Sequence, residues 1–364
     1  MRKIIFYAGT PLQLIAFLNI IDSHKLDQLN QLTCILSDRL INPNIYTAIK
    51  SLRIFDRIFV IPTHWPSLKH WLQSPHFQTF ISTKIYFSNY LKHSLGTKYY
   101  DNFQNIFPEA YKALQDADDI YFHTKPNSLI QLTNKRCTRH LIDEGIRSYT
   151  RRSLECRPDF VYLYEPDLAD FGDQKPSIIK LPKITPVRHR LITWITQLFP
   201  IYQAEKVSSC IFFDQPLGKR PFGWISYFSS NSRIECLKFK TRQLIIQDAQ
   251  ARSHSKLVLR AHPGSSPNLL RYLKKSYTVV STNTPFEVEL LQYHHENLEI
   301  YTIYSTAACY WLLMFDETFI KNISSNINIY YPKFLHLTNN VSDKSIQCFF
   351  ENLNKKFNNI NLIT

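Results

Sequence analysis

Four strand ends in this chain carry side chains that could do chemistry. His262-Pro263 follows the apolar run Leu257-Val258-Leu259-Arg260-Ala261, which reads as a buried strand. An imidazole at a strand end can give a proton or a hydrogen bond to a phosphate. The plainer reading is a loop histidine capped by backbone. Ser305-Thr306-Ala307-Ala308 follows a second strand-like run, residues 300–304, and predicts the start of a helix. Unpaired N–H groups and the positive end of the helix dipole make such a start a phosphate site, although serine is also an ordinary helix cap. Asp143-Glu144-Gly145 and Asp214-Gln215-Pro216 each close a strand, one in each half of the chain. A carboxylate there can act as a general base or can bond its own turn backbone. Thr284-Pro285-Phe286-Glu287 opens another helix with capping-box spacing, which gives Glu287 a structural role. Glu289, further along that helix, can reach the hydroxyls or base edge of a nucleotide, or lie on a solvated face.

Other polar clusters read as ordinary surface. Asp116-Ala117-Asp118 has the spacing of a metal-binding pair, but it precedes the strand at residues 120–123, on the edge opposite the expected ligand crevice. The acidic loop at 167–173 reads the same way, and His294-His295 has no companion ligands at metal spacing. No metal site and no cofactor are expected. The seven cysteines are scattered, odd in number and include no C-x-x-C, which argues against a disulfide framework or zinc site and for a reducing compartment.

The elements that must hold these residues can be read from short apolar runs. In the first half, runs near residues 4–8, 32–36, 57–61, 120–123 and 138–142 predict strands. Gly9-Thr10-Pro11 turns the first of them into a helix. A mostly helical stretch is expected over 66–114 and a loop over 162–186, which is rich in Pro and Asp. The second half repeats the series, with strands near 209–213, 257–261, 277–281 and 300–304 and helices over 233–252 and 268–275. Two strand-helix series in 364 residues predict two α/β domains with mostly parallel sheets, whose ligands bind off the carboxyl ends of the strands. The boundaries expected are a first domain over 1–186, a connector helix over 187–205, a second domain over 206–340 and a helical tail over 341–364.

Composition narrows the function. Only seven glycines occur, none spaced as G-x-G-x-x-G or a phosphate-binding Walker loop, so those nucleotide sites are excluded. The net charge of +14 predicts an anionic partner. No ribonucleoprotein, zinc-finger or basic-helix signature accompanies that charge, so nucleic acid is not the expected partner. The first residues lack the apolar core of a signal peptide, and no segment approaches the roughly 20 apolar residues of a membrane helix. A cytoplasmic protein is expected.

Taken in order, these landmarks resemble the bacterial lipooligosaccharide sialyltransferases of glycosyltransferase family 52. The likeness lies in His262-Pro263, in Thr284-Pro285-Phe286 with Glu289, and in Glu299-Ile300-Tyr301-Thr302 running into Ser305-Thr306-Ala307-Ala308. In the first half it lies in Asp143-Glu144-Gly145 and in Thr10 with Gln13. Bacterial polysialyltransferases share the acidic-Gly and His-Pro elements. The resemblance implies a GT-B fold, two Rossmann-like domains facing across a cleft, the first on the acceptor side and the second binding the donor. It implies metal-independent, inverting transfer of sialic acid from CMP-sialic acid to a galactose-terminated glycan of lipooligosaccharide or a related surface polysaccharide. His262 would be the acid at the donor phosphate, Ser305 and Thr306 would bind that phosphate, and Glu289 would contact the nucleotide. Asp214 is the nearest match to the family base, with Asp143 or Glu144 as alternatives and Gln13 on the acceptor side. The same fold using another nucleotide sugar is the second reading. A membrane-anchored acceptor would call for peripheral contact with the cytoplasmic face of the inner membrane. The segment 187–199 could supply it by lying in the lipid interface with Trp194 inserted, or could be a connector packed between the domains. A homodimer is compatible with all of this.

Overall fold

The computed structural model describes residues 1–37, 40, 43–61, 103–123, 128–200, 209–214, 231–262, 265, 267–280, 284–292, 297–323, 325–338 and 344–364. The chain divides into two compact units. The first comprises Met1–Pro166, Phe171–Pro182 and Arg188–Pro200; the second comprises Asp167–Asp170, Lys183–Val187 and Ile201–Thr364.

The first unit is built on a seven-stranded sheet of order β3-β2-β1-β4-β5-β6-β7. Its strands are β1 (Lys3–Ala8), β2 (Gln31–Ser37), β3 (Arg57–Ile61), β4 (Asp119–Phe122), β5 (Thr138–Ile142), β6 (Phe160–Leu163) and β7 (Ser177–Lys180). The second unit holds a six-stranded sheet of order β10-β9-β8-β11-β12-β13. Its strands are β8 (Cys210–Phe213), β9 (Val258–Arg260), β10 (Thr278–Val280), β11 (Leu298–Thr302), β12 (Ser325–Ile329) and β13 (Ile360–Leu362). Every pairing in both sheets is parallel. Each sheet starts at an inner strand, winds to one edge, then returns to the other side of its starting strand. These are two Rossmann-like units, with order reversals between β1 and β4 and between β8 and β11, the places where such sheets open a ligand crevice. The strands beside the reversals are almost wholly buried, as parallel strands covered on both faces must be.

Local chemistry explains the first crossover. Thr10 caps the helix Pro11–His24: its side chain accepts from Gln13 N–H, while Gln13 Oε1 accepts from Thr10 N–H at 3.1 Å. Pro11 occupies the first turn, where its missing N–H costs nothing. Lys25, at φ 49°, ends the helix in the left-handed region.

Several elements differ from their sequence reading. Residues 162–186, expected as loop, contain the end of β6 and all of β7. Both are four residues long, and β7 (SIIK) is a largely exposed edge, so neither a long apolar run nor an alternation marks them. The second sheet gains β12 and β13. These are asparagine-rich: Asn361 donates to Asn326 at 2.6 Å and to Asn328 at 3.3 Å across the ladder. The tail expected to be helical carries the helix Lys344–Lys356 and then β13 at the sheet edge. Of the helical stretch expected over 66–114, residues 66–102 lie outside the described residues; the rest holds the helices Phe103–Ile106 and Pro108–Gln115.

In the segment 187–199 the structure shows a helix docked on protein. The helix there, His189–Leu198, packs on the helix Pro11–His24 inside the first unit. Its apolar face, Leu191, Ile195 and Leu198, is buried in that contact. Arg188 pairs with Asp22 and also donates to Asn19 and Ser23, and Arg190 pairs with Asp27 at 2.7 Å. The Arg190 guanidinium lies 4.3 Å from the centre of the Trp194 ring. The buried part of the apolar stripe is thus covered by protein, while Val187 is exposed and Ile192 and Trp194 are half-buried. No helix among the described residues is long and apolar enough to cross a membrane.

Candidate functional site

In the second unit, the carboxyl ends of β8, β9 and β11 bring three of the expected residues to one edge of the sheet. Asp214 follows β8 directly, and its N–H bonds the Arg260 carbonyl at the end of β9 at 2.9 Å. His262 comes two residues after β9. Ser305 comes three residues after β11; its N–H donates to Thr302 Oγ1 at 2.8 Å, and that hydroxyl donates to the Phe213 carbonyl at 3.2 Å. A short chain of bonds therefore links Ser305, the end of β11 and the end of β8 across the order reversal.

The carboxylates at this edge are met by arginines. Asp214 is 2% exposed; its Oδ1 lies 2.9 Å from Arg242 Nε, and Ser265 Oγ approaches Oδ2 at 3.5 Å. Arg242 comes from the middle of the long helix Asn231–Arg252 and is itself buried. Glu289 makes a two-pronged pair with Arg260, Nη1 to Oε2 at 2.6 Å and Nη2 to Oε1 at 3.0 Å, and Nη2 also donates to the Thr284 carbonyl at 2.6 Å. The Arg260 guanidinium lies 5.8 Å from the Phe213 ring centre and 5.5 Å from that of Phe286. Neither arginine was singled out from the sequence. Arg260 had a signal, a lone cation in the run Leu257-Val258-Leu259-Arg260-Ala261; Arg242, inside a polar helix, had none.

His262 is half-buried, and that burial lowers its proton affinity below the usual histidine value. It keeps a neutral imidazole, able to donate one N–H, until an anion beside it raises its basicity. Glu287 is fully buried, with Oε1 among the buried atoms that lack a hydrogen-bond partner. Burial pushes its carboxyl up to about 7, and nearby Arg260 works in the opposite direction. The helix carrying it runs Phe286–Gln292.

The helix expected to start at Ser305 is instead a 3-10 turn, Thr306–Ala308, followed by the short helix Tyr310–Met314. Cys309, at φ −129° and ψ −9°, separates the two. Few peptide dipoles are aligned behind Ser305, so any anion binding there would rest on its hydroxyl, on Thr306 and on local N–H groups more than on a macrodipole.

In the first unit, the acidic triplet after β5 separates into two roles. Asp143 is completely buried. It accepts from Gly145 N–H at 3.0 Å, from Tyr164 N–H at 3.2 Å and from the Tyr149 hydroxyl. The neighbouring carboxylate raises the Tyr149 phenol further beyond what its burial does. Glu144 is only half-buried, and the side-chain amide of Gln13 donates to its Oε2. Gln13 thus both closes the cap of the first helix and reaches the acidic triplet. Gly145, at φ 120°, takes a backbone conformation that other residues rarely adopt.

Asp116 and Asp118 lie at the amino edge of the same sheet: Asp118 accepts from the Lys3 backbone and Asp116 pairs with the Lys3 ammonium at 3.2 Å. Among the described residues, no three His, Cys, Asp or Glu side chains are grouped to hold a metal ion. His294-His295 and residues 215–230 lie outside the described residues.

No family model matches this chain, and no curated protein does. Solved structures that resemble it include Staphylococcus aureus MnaA with UDP, at 9% identity over 90% of this chain and 79% of that one, with a TM-score of 0.43. Escherichia coli heptosyltransferase WaaC with ADP-2-deoxy-2-fluoro heptose is 10% identical over 91% and 89%, with a TM-score of 0.34. Phytolacca americana UGT2 with UDP-2fluoro-glucose and pterostilbene is 10% identical over 99% and 85%, with a TM-score of 0.42. Likenesses of this degree do not bear on activity; the two-unit parallel architecture stands on the sheets themselves.

Proposed function

We propose that this chain is a glycosyltransferase that moves a sugar from a nucleotide donor onto a glycan of the bacterial surface, and that the donor is CMP-sialic acid. The observation that carries the reading is the convergence of Asp214, His262 and Ser305 on the carboxyl edge of one Rossmann-like sheet beside its order reversal, with Glu289 tied to the same edge through Arg260. The choice of CMP-sialic acid rests on the order of the sequence landmarks around those residues.

In this reading the acceptor hydroxyl attacks the anomeric carbon, the bond from that carbon to the phosphate oxygen breaks, and CMP leaves. The nucleotide departs with a phosphate monoester anion. His262 donates a proton or hydrogen bond to it, and the Ser305 and Thr306 hydroxyls share its charge. The acceptor proton goes to a carboxylate. Asp214 is poorly placed to meet the acceptor, because its side chain is fully buried beside Arg242. Glu144, half-buried, is the better base, with Gln13 orienting it and Asp143 bracing the turn behind it. The surplus of positive charge suits an anionic donor and an anionic glycolipid acceptor.

The test is a thermal-shift comparison of CMP and UDP in the presence of a chelator. CMP at about a hundred times its dissociation constant should stabilise the fold by about 2.7 kcal/mol, and UDP far less. Equal stabilisation by UDP would move the reading to another nucleotide sugar on the same fold. Stabilisation by neither would end the nucleotide-sugar reading.

A further inference from the structure

The pair formed by Arg260 and Glu289 is not a surface ion pair. Both prongs of the guanidinium fork are used on one carboxylate, and the side chains are 12% and 9% exposed. The fork is fixed from behind: Nη2 also holds the Thr284 carbonyl just before the glutamate's helix, and the plane is flanked by Phe213 and Phe286. Arg260 ends β9, next to β8, so the carboxylate on the helix Phe286–Gln292 is tied to the edge of the sheet where Asp214 and His262 sit. An ionised carboxylate offers about four lone-pair positions, and the fork takes one on each oxygen. The two that remain are held in one orientation by the planar fork.

From this arrangement we infer that Arg260 is a positioning residue, which presents the Glu289 carboxylate to a hydrogen-bond donor of the bound nucleoside. The inference rests on the nucleotide reading above and names the chemistry of that subsite. Two parts of a cytidine carry such donors, the ribose hydroxyls and the amino group of the base. Deleting the donor in question should cost the wild-type protein affinity and cost nothing once the carboxylate is lost or turned away. Arg260→Lys keeps the charge but cannot reproduce the fork together with the carbonyl bond.

Calorimetric titration with CMP, 2′-deoxy-CMP and UMP tests this on the full chain and on Glu289→Gln, Arg260→Lys, the two combined, and Arg260→Met/Glu289→Met. The last variant removes both buried charges together and so keeps the fold. Glu289→Gln and Arg260→Lys should each weaken CMP about tenfold, the scale of one charge-assisted hydrogen bond. The combined variant should be no weaker than Glu289→Gln alone. Wild-type preference for CMP over 2′-deoxy-CMP would identify the ribose as the partner, and preference over UMP would identify the base. Whichever preference the wild type shows should disappear in all four variants, and donor KM should rise more than kcat falls. Additive losses in the combined variant, or wild-type affinity and preference in Arg260→Lys, would overturn the positioning role. Unchanged CMP binding in Glu289→Gln would overturn it while leaving the nucleotide reading intact, whereas no binding of any nucleotide to the wild type would remove both.

Discussion

The two units each carry an acid directly after an inner parallel strand, Asp143 after β5 and Asp214 after β8, and hold their acids by different means. In the first, the donors around Asp143 include a tyrosine hydroxyl and two backbone N–H groups, and Glu144 receives an amide from Gln13. In the second, Asp214 and Glu289 each face an arginine. Neutral donors and arginines both orient a carboxylate, but only the arginine brings a formal positive charge to it. The proposed function draws on both, a carboxylate of the first unit as base and His262 of the second as acid. The buried titratable groups differ in the same sense. The first unit buries His123, with Nδ1 on the Ile142 carbonyl, and burial pulls its imidazole down to about 3. The second buries Glu287, pushed up to about 7.

The largest effect should come from breaking the buried ion pair. Arg242→Met strands the Asp214 carboxylate and should cost about 3–5 kcal/mol of stability. Replacing both partners, Asp214→Leu with Arg242→Met, should restore most of it. The first unit should not behave this way: Asp143→Leu strands the Tyr149 hydroxyl and the N–H groups of Gly145 and Tyr164, at a cost of about 3 kcal/mol or more. Urea midpoints for the three variants decide it. An Asp143→Leu protein as stable as the double variant would break the comparison.

Turnover should separate the units next. Glu144→Gln and His262→Ala should each lose roughly a hundredfold or more in turnover, the scale of a positioned acid or base. Glu144→Gln should still bind CMP. Asp214→Asn should lose stability more than catalysis; if it instead keeps its stability and loses all turnover, Asp214 takes over as the base.

The buried histidine and glutamate should give pH responses of opposite sign. His123 has a folded proton affinity below its unfolded one, so the unfolded chain gains a proton first and stability falls as pH drops from about 6.5 towards 3. Glu287 has a folded value above its unfolded one. Its favourable state is fully present below about 4.5, and stability falls as pH rises from there to about 7. Glu287→Gln should flatten the second slope and add on the order of 3 kcal/mol above pH 7. Urea unfolding at pH 5 and pH 8 measures this, and an unchanged slope in that variant would show the carboxyl is not the titrating group.

The smallest effect concerns the helix His189–Leu198. Trp194→Ala should lose about 0.5–1 kcal/mol with the Arg190 stacking contact and should leave vesicle binding unchanged. Any attachment to anionic vesicles should come from the net charge and vanish at high salt. Flotation at low and high salt checks it; salt-resistant binding abolished by Trp194→Ala would place the helix in the lipid interface.

What the sequence determined alone was the part encoded in neighbouring residues. The strands β1, β2, β8 and β11 were legible because a strand buried on both faces needs a continuous apolar run, and the helix start after β1 was legible from Gly9-Thr10-Pro11. The strand end that carries Asp214 followed from β8, and those that carry His262 and Asp143 followed from the runs of β9 and β5. Short or polar strands were not legible: β6 and β7 are four residues each, and β12 and β13 owe their pairing to an existing edge and an asparagine ladder. The amphipathic stripe of His189–Leu198 was legible, but its partner was not, because an apolar face does not say whether protein or lipid covers it. The state of each acid was decided by tertiary structure alone. Gln13 meets Glu144 across 131 positions, Arg260 meets Glu289 across 29, and Arg242 reaches Asp214 from the middle of a helix with no local mark. A carboxylate's charge and freedom depend on which donors the fold brings to it, and no spacing along the chain records that.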